Sequence, residues 1–459
     1  MPITATRQSR PNIIWVFADQ MRGQAMGCAG DLNVRTPHLD ALAAGGVRFT
    51  AACSTYPVCV PFRFTLLTGE YAHTRWIPAI HWQMSPAERT IAHEFNDAGY
   101  ETAYVGKWHL NGSIPLAGGA LPRNRMPIPR MYRGGFEVWH GFSLRNEFYD
   151  TCCFHGDDPT PVPLGKYQTD GLFDIATDYV RGRRAGDRPY FLTLSVEAPH
   201  PPHQAPPEYI ERVRARSLTW RPNFRAGDRA QMKPETPWDV MKAENIPELP
   251  IRYYAQVENL DDNVGRLVAA LRESGQWENT VLMFFSDHGE MLGSHGLYQK
   301  QLPYEESINI PLIVHDPRLP AARRGAVVDD PVCTEDFYPT TLAAAGIPQR
   351  AAKPGLDLTG AIRSGGALAR EGVYIEFVEE DRPSMVFFGM TWRGLRTREY
   401  KYTVLKGKPW QLFDLCSDPY EMENLVGSPA HEAVRRRLHA ELRRVAAETG
   451  DCEAIAETT

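Results

Sequence analysis

Asp19 and the Asp287-His288 pair offer oxygen and nitrogen donors that could bind a metal ion. Lys107, His109, His200 and Lys300 offer ammonium and imidazole groups that could hold an anion. Cys59 and Arg63 stand one helical turn apart in Cys59-Val60-Pro61-Phe62-Arg63, which runs on to Leu67-Thr68-Gly69. A guanidinium near a thiol merely favours the thiolate, so that pair alone says little. Together these residues describe metal-assisted hydrolysis of an ester of a tetrahedral oxyanion. Each has a plainer explanation when taken singly. An aspartate after a strand caps a helix, a lysine is solvated, and a cysteine is a small buried hydrophobe. The set in this order carries the reading.

The elements that must position them recur along the chain. Apolar runs rich in β-branched and aromatic residues end in polar side chains: Ile13 to Ala18 at Asp19, and Thr102 to Val105 at Lys107 and His109. Tyr190 to Val196 ends near His200, and Thr280 to Phe285 ends at Asp287-His288. Helical patterns lie between them; Val257, Leu260, Val264, Leu267, Val268 and Leu271 fit one helix, with Gly275 as its stop. This alternation predicts an α/β fold with a mostly parallel sheet flanked by helices. Ligands of such sheets bind at the carboxyl ends of the strands, where all four runs deliver their reactive groups.

Residues 111–165 and 216–250 read as long loops over the site, with Trp139, His140 and Phe148 as candidate substrate contacts. Near residue 370 the pattern changes to short strands at 372–375, 387–390 and 401–404. A closing helix follows, with Ser428 as N-cap, Pro429 in its first turn, and Val434, Leu438, Leu442 and Val445 on one face. We therefore expect a catalytic domain over 1–370 and a C-terminal α+β subdomain over 371–459.

Composition bounds the rest. Of 459 residues, 43% are hydrophobic and 23% charged, enough for a large core. A net charge of −6 gives no general attraction to nucleic acid, so an anionic substrate needs a local basic cluster. No apolar run is long enough to span a bilayer, and the N-terminal run ends in an aspartate like a core strand rather than a signal peptide. Eight cysteines show neither finger spacing nor a dense framework. The expected compartment is the cytoplasm, with Cys152-Cys153 as thiols and Asn111-Gly112-Ser113 a coincidental sequon.

Cys-x-Pro-x-Arg followed by Leu67-Thr68-Gly69 resembles the site at which type I sulfatases, of the alkaline phosphatase superfamily, oxidise a cysteine to formylglycine. Gly106-Lys107-Trp108-His109 is similar to the family's pattern, as is Asp287-His288-Gly289 followed by Lys300, Tyr304 and Glu306. So is the terminal segment Leu412-Phe413-Asp414-Leu415 with Asp418 to Leu425. The resemblance implies an alkaline-phosphatase-like α/β core with a smaller C-terminal antiparallel sheet and helix. It also implies a divalent metal, calcium by family, on Asp19, Gln20, Asp287, His288 and the modified Cys59. One hydroxyl of the formylglycine hydrate would attack sulfur, and the other would later expel sulfate. Arg63 would hold the hydrate, Lys107 and Lys300 the oxyanion, His109 would orient or deprotonate the hydrate, and His200 would face the leaving group or the sulfate.

Three residues depart from the commonest family pattern: Phe62 replaces serine, Gln20 a second aspartate, and His288 an asparagine. The Asp-Gln and Asp-His pairs resemble those of phosphonate monoester hydrolases and choline sulfatases, and the imidazole admits manganese or a similar ion. The leading expectation is a sulfuric ester hydrolase acting on a small-molecule sulfate ester, with a formylglycine-generating enzyme as maturation partner. The alternative is a phosphonate monoester or phosphodiester hydrolase using the same site. A third reading is a silent oxyanion binder whose Cys59 stays unmodified beside Phe62. His81, His203, His295 and Trp82 stand near the motifs as further candidate contacts.

Overall fold

The structure is a computed structural model, described here for residues 10–77, 80–112, 125–184, 186–225, 248–379, 389–451 and 455. Asn12–Asp19 is buried on both faces, as an apolar run in a parallel sheet must be. Ile13, Trp15 and Phe17 join one core layer with Phe62, Phe95 and Phe337. Ile14, Val16 and Ala18 join the other, with Leu172, Val257 and Leu260.

That strand is the fifth of ten. Their order is Ala326–Val328, Val47–Phe49, Leu312–His315, Thr280–Ser286, Asn12–Asp19, Tyr190–Pro199, Glu101–Lys107, Val138–Phe142, Cys152–His155 and Val162–Pro163. The five strands from Thr280–Ser286 to Val138–Phe142 are mutually parallel. The four runs read from the sequence are neighbours within that group. Their register sets Asp19 opposite Pro199, Ala18 opposite Ser286, and Gly106 opposite Ser195. One edge therefore gathers all four polar ends.

Gly106 is required where it stands. Its φ is +101°, and a Cβ there would lie 1.9 Å from the Ser195 carbonyl oxygen. The strand can thus lie close to its neighbour just before Lys107. The predicted long helix spans Leu249–Glu273 and packs against the helix Gln168–Gly182, with Gly275 just beyond its end at φ +68°. Across the sheet lie the helices Cys59–Thr68, Ile91–Asp97 and Phe337–Ala345.

Part of the expected 111–165 loop is sheet: Val138–Phe142, Cys152–His155 and Val162–Pro163 extend it at one edge. The expected 216–250 loop ends where the long helix starts at Leu249, and 226–247 fall outside the described residues, as do 113–124. The C-terminal sheet has four antiparallel strands, Gly372–Phe377, Trp392–Thr397, Tyr400–Leu405 and Lys408–Asp414. Residues 387 and 388 of the expected middle strand are outside the described set, 389 and 390 lie before the observed strand, and pairing begins at Trp392. The closing helix is Glu432–Thr449, preceded by a 3-10 turn at Pro429–His431. Leu438 and Leu442 are its buried face.

This second sheet braces the segment that carries Lys300. Trp392 Nε1 donates to the Gln301 carbonyl at 2.9 Å, and Arg396 and Lys401 pair with Glu305 at 3.3 and 3.4 Å. Among the described residues no helix is long and apolar enough to cross a membrane.

Candidate active site

Cys59 is the first residue of the Cys59–Thr68 helix, every residue of which is buried. Pro61 sits in the first turn, where its missing N–H costs nothing, and Gly69 ends the helix in the left-handed region. Phe62 turns into the core and packs against Phe285, with ring centroids 6.4 Å apart. Its bulk is therefore taken up by the core.

The Cys59 Sγ lies 3.2 Å from His288 Nε2, 3.6 Å from Asp19 Oδ1 and 3.6 Å from Lys300 Nζ. Burial first, then the Asp19 carboxylate, push its thiol up to about 11. An unmodified Cys59 is thus a neutral thiol near pH 7, a poor nucleophile.

Arg63 points back under this residue. It donates to the Lys107 carbonyl and to Ser195 Oγ, both at 2.8 Å, and to Asp19 Oδ2 at 3.1 Å, and lies 3.5 Å from Asp287 Oδ2. Its guanidinium also lies 4.9 Å from the centre of the Phe17 ring. Lys107, fully buried, donates to Asp19 Oδ2 at 2.6 Å. Burial alone would raise the Asp19 pKa, but Lys107, Arg63 and Lys300 outweigh it and hold the carboxyl well below the usual range. Asp287 goes the other way: burial and the neighbouring Asp19 charge push it up to about 7.

His288 lies with Nδ1 3.1 Å from the Gly289 carbonyl. A carbonyl only accepts, so Nδ1 carries the proton and the Nε2 lone pair faces Cys59 and the carboxylates. Burial and Lys300 keep this imidazole neutral, its pKa well below the ordinary histidine value. One ligand atom from each of Asp19, Cys59, Asp287 and His288 lies within 4.8 Å of the others. Two buried carboxylates and a neutral imidazole lone pair converging on one point suit a divalent cation. Gln20 adjoins them at φ +71°, its backbone N–H donating to Asp287 Oδ1 at 2.9 Å and its Oε1 accepting from Lys300 Nζ at 2.6 Å.

His109, also left-handed at φ +57°, is buried with both ring nitrogens free of hydrogen bonds to the described residues. Burial, then Lys107, lower its pKa well below 6.5. His200 is lowered by burial and Lys300, and its Nδ1 lies 2.6 Å from the Pro201 carbonyl. Every one of the ten candidate residues is buried, Cys59 and Arg63 on the Cys59–Thr68 helix and the others at the carboxyl ends of strands or in the segments that follow them.

The further candidates divide. Trp139 is a core residue, stacked on Tyr104 at 5.2 Å and beneath Arg133, because it lies on a sheet strand rather than in a loop. Phe148 is buried against Tyr167 and Ala198. His140 packs edge-on to His155, and Trp82 edge-on to Phe64. His203 is 3.1 Å from Gln256 Oε1, a satisfied core histidine. His295 stacks on Tyr304 at 4.3 Å. His81 is half-buried.

Four supporting residues escaped the sequence reading. Ser195 accepts from Arg63, Ser54 Oγ donates to the Asp287 carbonyl at 2.6 Å, Tyr253 OH donates to the Gln20 carbonyl at 3.1 Å, and Glu290 accepts from Gln20 Nε2. Glu290 had a signal, a carboxylate three residues beyond Asp287 in the same turn. The others are ordinary residues that only three-dimensional proximity singles out.

The sequence profile of the sulfatase family matches residues 11–347, and that of the N-sulphoglucosamine sulphohydrolase C-terminal region matches 293–448. An ulvan-active sulfatase of Formosa agariphila is 32% identical over 455 residues, covering 96% of this chain and 82% of the relative. The crystal structure of a Bacteroides fragilis protein, yidJ, assigned as a sulfatase, superposes with a TM-score of 0.84 at 27% identity, covering 98% of each chain. The phosphonate monoester hydrolase of Agrobacterium radiobacter shares the fold at a TM-score of 0.75 and 23% identity, covering 96% of each chain.

Proposed function

Because this chain belongs to the sulfatase family and hydrolyses sulfate esters, we propose that Cys59 serves it as formylglycine. In this reading one divalent cation sits beside it on Asp19, Gln20, Asp287 and His288. The observation that carries the reading is the convergence on the Cys59 Sγ of Asp19, His288 and Lys300, all within 3.6 Å. A thiol raised to about 11 does little there, whereas a residue that must lose a proton beside a cation is well served.

When bound, the metal supplies Lewis-acid polarisation of the ester and eases ionisation of the attacking hydroxyl. The modification supplies two hydroxyls on one carbon, one to attack sulfur and one to release sulfate afterwards. The chain's own residues do the rest. Arg63 locks both carboxylates and offsets charge developing at position 59. Lys107 and Lys300 hold the sulfate oxygens as point charges. His109, neutral and with open ring nitrogens, takes the proton of a hydroxyl at position 59. His200, whose Nδ1 lies beside the Pro201 carbonyl, serves the leaving-group or sulfate side.

Two carboxylates, an amide oxygen and one imidazole suit Mn²⁺ as well as Ca²⁺. We assign catalysis to 1–370 and a bracing role to the C-terminal subdomain, 371–459, on the strength of its contacts to Gln301 and Glu305. The Formosa relative is named for action on ulvan, so sulfated saccharides join aryl sulfates as the first substrates to try. A formylglycine-generating enzyme is the implied maturation partner.

The test is peptide mass spectrometry across Cys59 on protein made with that maturation enzyme, followed by turnover with Mn²⁺ or Ca²⁺. The expected result is a mass loss of one sulfur-for-oxygen exchange plus two hydrogens, and sulfate release that depends on it. Sulfate release by protein whose Cys59 is wholly unmodified would sink the proposal. Gln20 and His288 favour a second activity on phosphonate monoesters or phosphodiesters at the same site. Assaying phenyl phosphonate and diester substrates beside the sulfates decides it; no turnover of either rejects it.

A further inference from the structure

Glu290 plays no part in the chemistry above, yet its buried carboxylate meets three donors at one edge of the site. Its Oε1 accepts from the backbone N–H of Leu292 at 3.0 Å and of Gln299 at 2.7 Å. Its Oε2 accepts from Gln20 Nε2. At the other end of the same amide, Gln20 Oε1 accepts from Lys300 Nζ at 2.6 Å, and Lys300 Nζ reaches the Cys59 Sγ at 3.6 Å. Four residues thus form one chain, from Glu290 through Gln20 and Lys300 to the reactive position.

An amide has two nearly isosteric ends, and its orientation is decided by its neighbours. Here both neighbours decide it alike. A carboxylate can only accept and an ammonium can only donate, so the amide nitrogen faces Glu290 and the oxygen faces Lys300. Turned over, Gln20 would set an NH₂ against an ammonium in a buried site, leaving two donors without acceptors. The strand-end backbone holds Gln20 at φ +71° and leaves the side-chain amide as the free variable.

We propose that Glu290 is a positioning residue that fixes the Gln20 amide with its oxygen toward Lys300 and the metal-binding cluster. The proposal rests on the reading of Gln20 as a metal ligand given above. It makes the Asp-Gln pair at positions 19 and 20 dependent on a carboxylate at position 290, which supplies the acceptor that an aspartate at position 20 would not need.

Glu290→Gln is the informative variant, since it keeps size and leaves one oxygen for the Leu292 and Gln299 amides. Its new NH₂ then faces the Gln20 NH₂, donor against donor, and Gln20 must turn. Mn²⁺ titration of the metal-stripped, aldehyde-bearing protein should show a Kd weakened by about 10- to 100-fold, the usual cost of losing a group that orients a metal ligand. The double exchange Gln20→Glu with Glu290→Gln restores the bond between positions 20 and 290 with donor and acceptor exchanged, keeps the bond donated by Lys300, and should return the affinity to the parent level or tighter.

Circular dichroism and melting accompany each titration. A Glu290→Gln protein that binds Mn²⁺ within about threefold of the parent, far short of a typical outer-shell loss, would overturn the proposal. So would a double exchange that stays as weak as the single variant. Absence of Mn²⁺ and Ca²⁺ uptake by the parent itself would overturn the metal reading and this inference with it, while leaving sulfate turnover to be judged separately.

Discussion

Metal uptake should weaken steeply as pH falls, and the slope should belong to one residue. The perturbation is a shift of the metal-stripped protein from about pH 7 to about pH 5. Burial and the adjacent Asp19 raise the Asp287 carboxyl from 3.8 to about 7, so below that pH it holds a proton that a cation must displace. The sign follows: metal and proton compete, so affinity is full above about pH 7 and falls below it. One proton gives tenfold per pH unit, so two units cost about 100-fold in Kd, or about 2.7 kcal/mol. Asp19 and the site histidines add nothing to this slope. Asp19 stays ionised, held low by Lys107, Arg63 and Lys300 against its burial. Burial and nearby lysines keep His288, His109 and His200 neutral. The assay is calorimetric titration with Mn²⁺ across this range in two buffers of different ionisation heat, which counts protons released. Asp287→Asn should bind more weakly at neutral pH and lose the slope. A flat Kd between about pH 5 and 7, or a release of two protons, would refute the assignment, since a single carboxyl near pH 7 permits neither.

Cys59→Ala should abolish sulfate ester turnover in a continuous aryl sulfate assay while the fold, followed by circular dichroism, is retained. Lys107→Met should lower kcat/KM by about 100-fold or more, the cost of one preorganised charge-stabilising donor, and steady-state kinetics read it directly. Phe62→Ala should cost about 3–5 kcal/mol of stability, seen in denaturant unfolding, because its ring fills the core beside Phe285. Trp139→Phe should leave KM for aryl and saccharide sulfates unchanged and lower the melting temperature, in keeping with its burial against Tyr104.

The carboxyl-edge convergence was legible because parallel strands buried on both faces read as unbroken apolar runs, and each of the four ends in a polar side chain. Asp19, Lys107 and Asp287 were readable for that reason. The misread segment, 111–165, failed on the same physics. Val138–Phe142 places a histidine and a glycine among its apolar residues, and Cys152–His155, next to the edge strand, is only four residues long. Neither run shows a clean period of its own, so Trp139 looked like a loop aromatic. Glu290, Ser195 and Ser54 act through partners 270, 132 and 233 positions away in sequence, and no local pattern carries such distances. His109 and Gln20 carry positive φ angles that their residue types do not announce.

The buried helix that opens on Cys59 also dictates an order of events. From Cys59 to Thr68 no side chain reaches the surface, and Phe62 is wedged in the core. The proposed oxidation of Cys59 needs access to it, and the finished molecule buries Cys59 together with its neighbours on both sides. Under the proposed modification, oxidation of Cys59 belongs to the time before the sheet and this helix close, when the segment is still an extended peptide. Folding ends the opportunity, so chains that fold unmodified stay unmodified until they unfold. On that proposal the active fraction of a preparation records a race between oxidation and folding.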